Sequence, residues 1–586
     1  MPPWVARQCH VWRAPHSVPG AWSVSTAQSR LPRAFLARSY SQSSNGDDLR
    51  RLNTANSAII IPRSVHAQPD DLIAHIQPVD HARLNRDRFA VFFVTPAFAP
   101  WLLDDHIFLR KALRQAYAHE LDSEESPYGR LHALCAVVDK LPTPKAIADR
   151  GKVGNEASQR MIQPPFLQDG YEGIAYTTLR FDDSIPASAP AAVDEKAAIT
   201  FTTSVHADIT GHFGDSLQLP LANTVFQTGS PSTMTYSTWS KRKGANEFEL
   251  EEKRNVTQHG IRLHRSGTSQ QYISALAVPL LPLTDPRCVE ASMGNILRRI
   301  VGPNGESVTA SQELERVVPR YHEARGEMSQ ATSVWALIIP KELMIPVSHK
   351  TNALLKRPSD VDSTSAGEDK ARWYAFWKKP VIWNDLIPKA LASGARLHRV
   401  LSGGGGWGKK AGLLSLDPVA TTADAGSFSP GTSQEPTDLS SALQSVAHDG
   451  DYIQFFVSRS NPWQKPPGPD SLSYELESLE KLTKVDSTWG WELGTVPSTM
   501  DSIPGGSWQH SAPASKGAFA FKHTFGALAE GGITLHRQFR LTPEDAFWTI
   551  SGSKLDVPYS RYSAVSIGPD EEDAEDIVGH AEKYEQ

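Results

Sequence analysis

RFAVFFVT, residues 88–95, is the stretch on which the reading of the fold turns. It is a short apolar run closed by Pro96, and it reads as a buried strand that stops there. Working outward, residues 105–120 place Ile107, Ala112, Leu113 and Tyr117 at near-helical spacing. LHALCAVVDKL, residues 131–141, then reads as a second strand. Strand, helix and strand with a crossover of this length predict a parallel βαβ unit.

The rest of the chain extends the same mixture. Buried strands are expected at 198–205, 271–280 and 332–339, with helices at 294–300 and 311–318 between the last two. Ser311 stands in a capping position for the second of these, with Glu313 and Glu315 in or near its first turn. Further strands are expected at 395–401, 452–457 and 533–541. The predicted class is mixed α/β (α+β), soluble and multi-domain.

Residues 1–46 contain five arginines (Arg7, Arg13, Arg30, Arg33, Arg38) and no Asp or Glu. An Arg-rich, Ser-containing, acid-free start has the composition of a mitochondrial transit peptide. Such a segment is drawn toward a negative matrix, and Leu31, Ala34, Phe35 and Arg38 supply one side of a short helix for the import machinery to read. Arg38-Ser39-Tyr40-Ser41 looks like a matrix processing site, which sets the presequence at 1–40 and the location in the matrix. The whole chain has 59 basic and 65 acidic side chains, so without those five arginines the balance is −11. Residues 569–586 hold eight acids against Lys583 and read as a solvated acidic tail. An acidic protein is no general nucleic-acid coat, because phosphate binding rests on Lys and Arg.

About 500 residues remain, too many for one core, and composition suggests where they divide. An α/β domain with the βαβ unit is expected over 47–182, a strand-rich domain over 198–350, and a Trp/Gly-rich mixed domain over 372–560. The polar stretches 183–197 and 357–371 read as linkers, and the low-complexity run 418–441 as a disordered insert. Cys135 and Cys288 stand apart in separate apolar stretches, which suits a reducing compartment and supplies no zinc site. No run approaches the roughly 18 apolar residues of a membrane span.

The sharpest local feature is SGGGGWGKKAG, residues 402–412. Gly403, four residues, Gly408 and Lys409 nearly satisfy the phosphate-loop pattern, but Lys410 stands where Ser or Thr should hold magnesium. One reading makes the string a tight strand exit, with Trp407 in a core and the lysines solvated. The other makes Gly403, Gly404, Gly406, Trp407, Gly408, Lys409 and Lys410 an anion or RNA site, with the indole free to stack. WYAFWKKPVIWND, residues 373–385, interleaves aromatics with Lys378 and Lys379 and is preceded by Arg372. Those three cations join the candidate site, and the aromatics either stack on nucleic acid or fill a core. His206, Asp208 and His212 lack the further ligand a metal would need, so neither metal nor cofactor is expected. No catalytic residue is nominated.

Four strings resemble those of uncharacterised fungal-type mitochondrial proteins: LPLANTVFQTG at 219–229, PLTDPR with GNILRRI within 282–300, QELERVV at 312–318, and SGGGGWGKKAGLLSLDP at 402–418. The resemblance implies the compartment and no activity. The pattern over 88–141 is also loosely similar to the sensory ligand-binding FIST domains. The expectation is a non-enzymatic matrix factor that binds mitochondrial RNA or a mitochondrial protein complex, in organelle gene expression or respiratory-complex assembly. The alternative is a small-ligand sensor or enzyme with an anion pocket at the glycine string. The discriminating feature is whether that string borders a concave cleft or an open basic face.

Overall fold

The run at 88–95 forms strand β2 (Phe89–Val94), paired in parallel with β3 (Leu131–Val137) from Phe89↔His132 to Val94↔Val137. Helix α1 (Leu109–Ala116) lies between them and buries Leu109, Ala112, Leu113 and Ala116 on one face. The expected βαβ unit is therefore present in this computed structural model. The structure describes residues 56–122, 129–142, 169–186, 196–206, 212–242, 245–263, 271–355, 366–378, 385–403, 412–418, 446–458, 469–484, 490–498, 508–540 and 548–567.

Around the unit a seven-stranded sheet runs β21-β1-β4-β2-β3-β8-β9, with β1 at Ser57–Pro62, β4 at Ile174–Leu179, β8 at Met234–Lys241, β9 at Phe248–Asn255 and β21 at Ala518–Lys522. Alternate residues serve two cores. Ile59, Ile61, Phe89, Val91 and Phe93 enter the larger one, while Ala58, Ile60, Ala90, Phe92 and Val94 face α1. Burial on both faces is why these strands are unbroken apolar runs.

A six-stranded sheet has the order β24-β23-β7-β6-β10-β5, with β5 at Ser184–Pro186, β6 at Ala198–His206, β7 at His212–Pro220, β10 at Gln258–Arg262, β23 at Ile533–Arg540 and β24 at Trp548–Leu555. A four-stranded sheet follows β11-β25-β20-β22, with β11 at Gln271–Ala277, β20 at Gly490–Thr495, β22 at Thr524–Ala529 and β25 at Arg561–Ile567. The strands do not keep to the segments suggested by composition. β21 pairs with β1, β23 with β7, and β25 with β11. One apolar core joins residues from Ile59 to Ala564, and all described residues belong to one compact unit.

The fourth sheet closes on itself. Its strands are β12 (Leu280–Pro282), β13 (Arg287–Met293), β14 (Ile296–Val301), β15 (Ser307–Thr309), β16 (Val334–Ile339), β17 (Arg396–Gly403), β18 (Leu414–Leu416) and β19 (Tyr452–Ser458). Antiparallel pairings run β19-β13-β14-β18-β17-β16 and back to β19, a six-membered ring. Two corners are visible in the register. β13 meets β19 at Arg287 and Cys288 and meets β14 from Val289 onward, with irregular register after Val289. β17 meets β16 from Arg396 to Arg399 and β18 from Val400 to Gly403, with a shift between Val400 and Ser402. Such bulges bend a strand from one layer to the next. Helix α2 (Ala310–Arg325) packs Ala310, Val317, Tyr321 and Ala324 into the same core.

Two local readings need correction. Residues 294–300 are not a helix but a turn at Gly294 and Asn295 followed by strand β14: β13, β15 and β18 supply its partners, and that pairing overrides the local helical composition. Ser311 lies inside the first turn of α2, and the capping position is held by Thr309. Among the described residues no helix is long and apolar enough to cross a membrane.

Candidate functional site

Only the ends of the glycine string are described. Gly403 is the last residue of β17 and pairs with Leu414 of β18. Gly404, Gly406, Trp407, Gly408, Lys409 and Lys410 lie outside the described residues, as does Lys379. The connection runs from a strand to its antiparallel neighbour, whereas a phosphate loop runs from a strand into a helix. At the return, Gly412 has φ +84°, and its carbonyl accepts the Ser311 N–H at 3.4 Å. The base of the connection is thereby held at the start of α2.

Beside it is an open groove of about 320 Å³, lined by Ser311, Leu314, Glu315 and Val318 of α2, Thr332 and Val334, Val400 to Ser402 of β17, and Leu414. The groove exists because β17 outruns β16. Their register pairs end at Trp335↔Arg399, so beyond that point β17 has a described strand partner on the β18 side alone. Leu401 sits at the bulge and is 55% exposed, a high value for a leucine. Among the described residues of the lining, Glu315 is the one ionisable side chain.

Arg372 and Lys378 occupy helix α3 (Ala366–Lys378), half-buried and exposed respectively. The aromatics between them are packing groups. Trp377 is buried, donates its indole N–H to the Pro282 carbonyl at 3.1 Å, and lies 5.4 Å from Trp373 and 6.0 Å from Tyr321, ring to ring. Tyr374 donates to Glu323, and Arg325 donates to the Trp377 carbonyl at 3.2 Å. α3 is thus fastened to the C-terminal half of α2, while the groove uses the N-terminal half. Ser311 and Glu323 are separated by a helical rise of roughly 18 Å. Two of the predicted cations are set apart from the base of the glycine string.

One constellation escaped the sequence. Ser184 Oγ of β5 lies 3.0 Å from Nε2 of His259 on β10. The Ser184 hydroxyl also hydrogen-bonds that of Tyr236 on β8, which lies 3.0 Å from Nδ1 of His132 on β3. The Arg254 guanidinium sits over the Tyr236 ring at 5.3 Å. Burial, helped by Arg254, pushes the His259 imidazole down to about 4, and burial with the neighbouring Arg88 lowers His132. Both rings are therefore neutral hydrogen-bonding partners at neutral pH. These groups are far apart in sequence, and only the packing of two sheets brings them together.

Among the described residues no group of three or more His, Cys, Asp or Glu could hold a metal ion. His206 and His212 are register partners across β6 and β7, and Asp208 lies outside the described residues. Cys135 is buried, and its thiol is pushed up by that burial. Cys288 is half-buried and free.

No family model matches the chain, and no solved structure matches it. A GEM-like protein of Arabidopsis thaliana is 31% identical over 114 residues, which span 19% of this chain and 44% of that plant protein. The likeness is thus partial on both sides.

Proposed function

We propose that this protein is a mitochondrial matrix factor that works by holding a protein partner in the groove between α2 and β17. The compartment is supported by the acid-free, arginine-bearing residues 1–46 and by the four strings that resemble those of fungal-type mitochondrial proteins. The groove carries the binding part of the reading: it joins apolar side chains, hydroxyls and a strand end with no described strand on that side in one concave surface. The one ionisable residue among its described lining is an acid, which favours a polypeptide over RNA, whose phosphates seek Lys and Arg. Capture of tagged protein from mitochondria, with and without ribonuclease, tests this. The expected result is a partner that survives ribonuclease and is lost with Leu401→Asp, while partners that vanish with ribonuclease would point to RNA.

A second reading, an enzyme or small-ligand sensor, is favoured by the Ser184–His259 pair. A serine activated by a neutral imidazole reacts with fluorophosphonate. Labelling abolished by Ser184→Ala would support catalysis, and an unlabelled protein would leave the pair as a polar tie between sheets.

A further inference from the structure

Resting on the reading of the groove as a protein-binding surface, we infer that its occupant is an extended segment of the partner, added as a strand beside β17 and carrying a basic side chain toward Glu315. Three observations meet here. First, β17 continues from Val400 to Gly403 after its register with β16 has ended, so on that side no described strand accompanies it. A bare strand end presents N–H and C=O groups that seek another chain, and adding a strand satisfies them whatever the partner's sequence. Second, the wall opposite this end is the face of α2 bearing Leu314 and Val318, with Val334 and Leu414 also in the lining. An extended segment turns alternate side chains to opposite sides, so one set is positioned for that apolar wall. Third, Glu315 is exposed on α2 and is the one charged side chain among the described residues of the groove. A Lys or Arg of the segment would meet it, whereas an acidic segment would be repelled.

Alternatives fit less well. An inserted amphipathic helix would leave the backbone groups of β17 unmet. A small anion would face Glu315. An aromatic metabolite would leave unused the length of strand that continues past Arg399.

The test uses the full-length protein and a capped eight-residue peptide alternating valine and lysine. Three comparisons accompany it: the same peptide with glutamate for lysine, the peptide N-methylated at alternate residues, and the variant Glu315→Lys. The inference expects measurable binding of the Val/Lys peptide, at least tenfold weaker binding of the Val/Glu and N-methylated forms, and a reversed charge preference in Glu315→Lys. Amide exchange at Leu401 to Gly403 should slow when the Val/Lys peptide is bound. Unchanged melting of Glu315→Lys would show that the variant is folded. Failure of the Val/Lys peptide to bind, tolerance of N-methylation, or unchanged exchange at Leu401 to Gly403 would overturn strand addition. An unchanged charge preference in Glu315→Lys would overturn the role of Glu315. If any of these fails while Leu401→Asp still abolishes capture of a protein partner, the groove remains a docking site of another kind. If that capture is also unaffected, the broader reading falls as well.

Discussion

At Gly412 the backbone holds φ +84°, and an added Cβ would lie 2.7 Å from the Thr309 side chain. Positive φ and close approach both argue for glycine there. Gly412→Ala should therefore cost about 1–3 kcal/mol, read as a lower urea midpoint. The sequence marks this position as one glycine among several in a rich string, and only the neighbouring Thr309 shows which one is constrained. A second residue-scale expectation concerns His259 and His398, both pushed down to about 4 chiefly by burial. An imidazole with a depressed pKa protonates more readily once the chain is unfolded. Its contribution is intact above pH 6.5 and is lost as the pH falls from 6.5 toward 4, by up to about 1.4 kcal/mol per unit for each ring. Urea titrations across that window should show the slope, and His259→Gln should reduce it. A stability that stayed flat from pH 7 to 4.5 would mean the two rings are solvated.

At the scale of elements, long apolar runs were legible because burial on both faces leaves a continuous signature, as in 88–95 and 131–137. β14 was not: its pattern of two arginines between apolar residues suits a helix locally, and one of the strands that hold it, β18, lies far along the chain. The aromatic string of α3 posed a different difficulty. Its composition fits a stacking platform or a core equally, and the deciding fact is contact with α2. Trp377→Ala should remove a buried indole and destabilise by about 3–5 kcal/mol, whereas Lys378→Ala should stay within about 0.5 kcal/mol. Thermal unfolding of the two variants separates a packing helix from a surface that acts through its charge. The groove belongs to this scale too. It arises from a difference in strand length, and no single motif encodes that.

At the scale of the whole molecule, polar groups tie one sheet to another. Asp215 of β7 is buried and accepts two hydrogen bonds at 2.7 Å from Arg537 of β23, together with one from the Tyr562 hydroxyl of β25. Asp215→Ala would leave a largely buried guanidinium without its partner and should cost about 3 kcal/mol or more. Tyr562→Phe removes one neutral donor and should cost about 1 kcal/mol. Denaturant curves for both check the order. The sequence could not expose such a tie, because its members come from opposite parts of the chain. The same long reach has a consequence for how the polypeptide is made. β1 leaves the ribosome among the earliest described residues, yet its neighbour β21 begins at Ala518. At about 5–20 residues per second, translation keeps that edge waiting for roughly half a minute to a minute and a half. Throughout that interval Ile59, Ile60 and Ile61 belong to an unfinished sheet, open to any other chain that offers a strand. Under the proposed import the chain also enters the matrix amino-terminus first, so the same edge waits again until β21 has crossed, and chaperone binding over that interval would keep it from pairing with other chains.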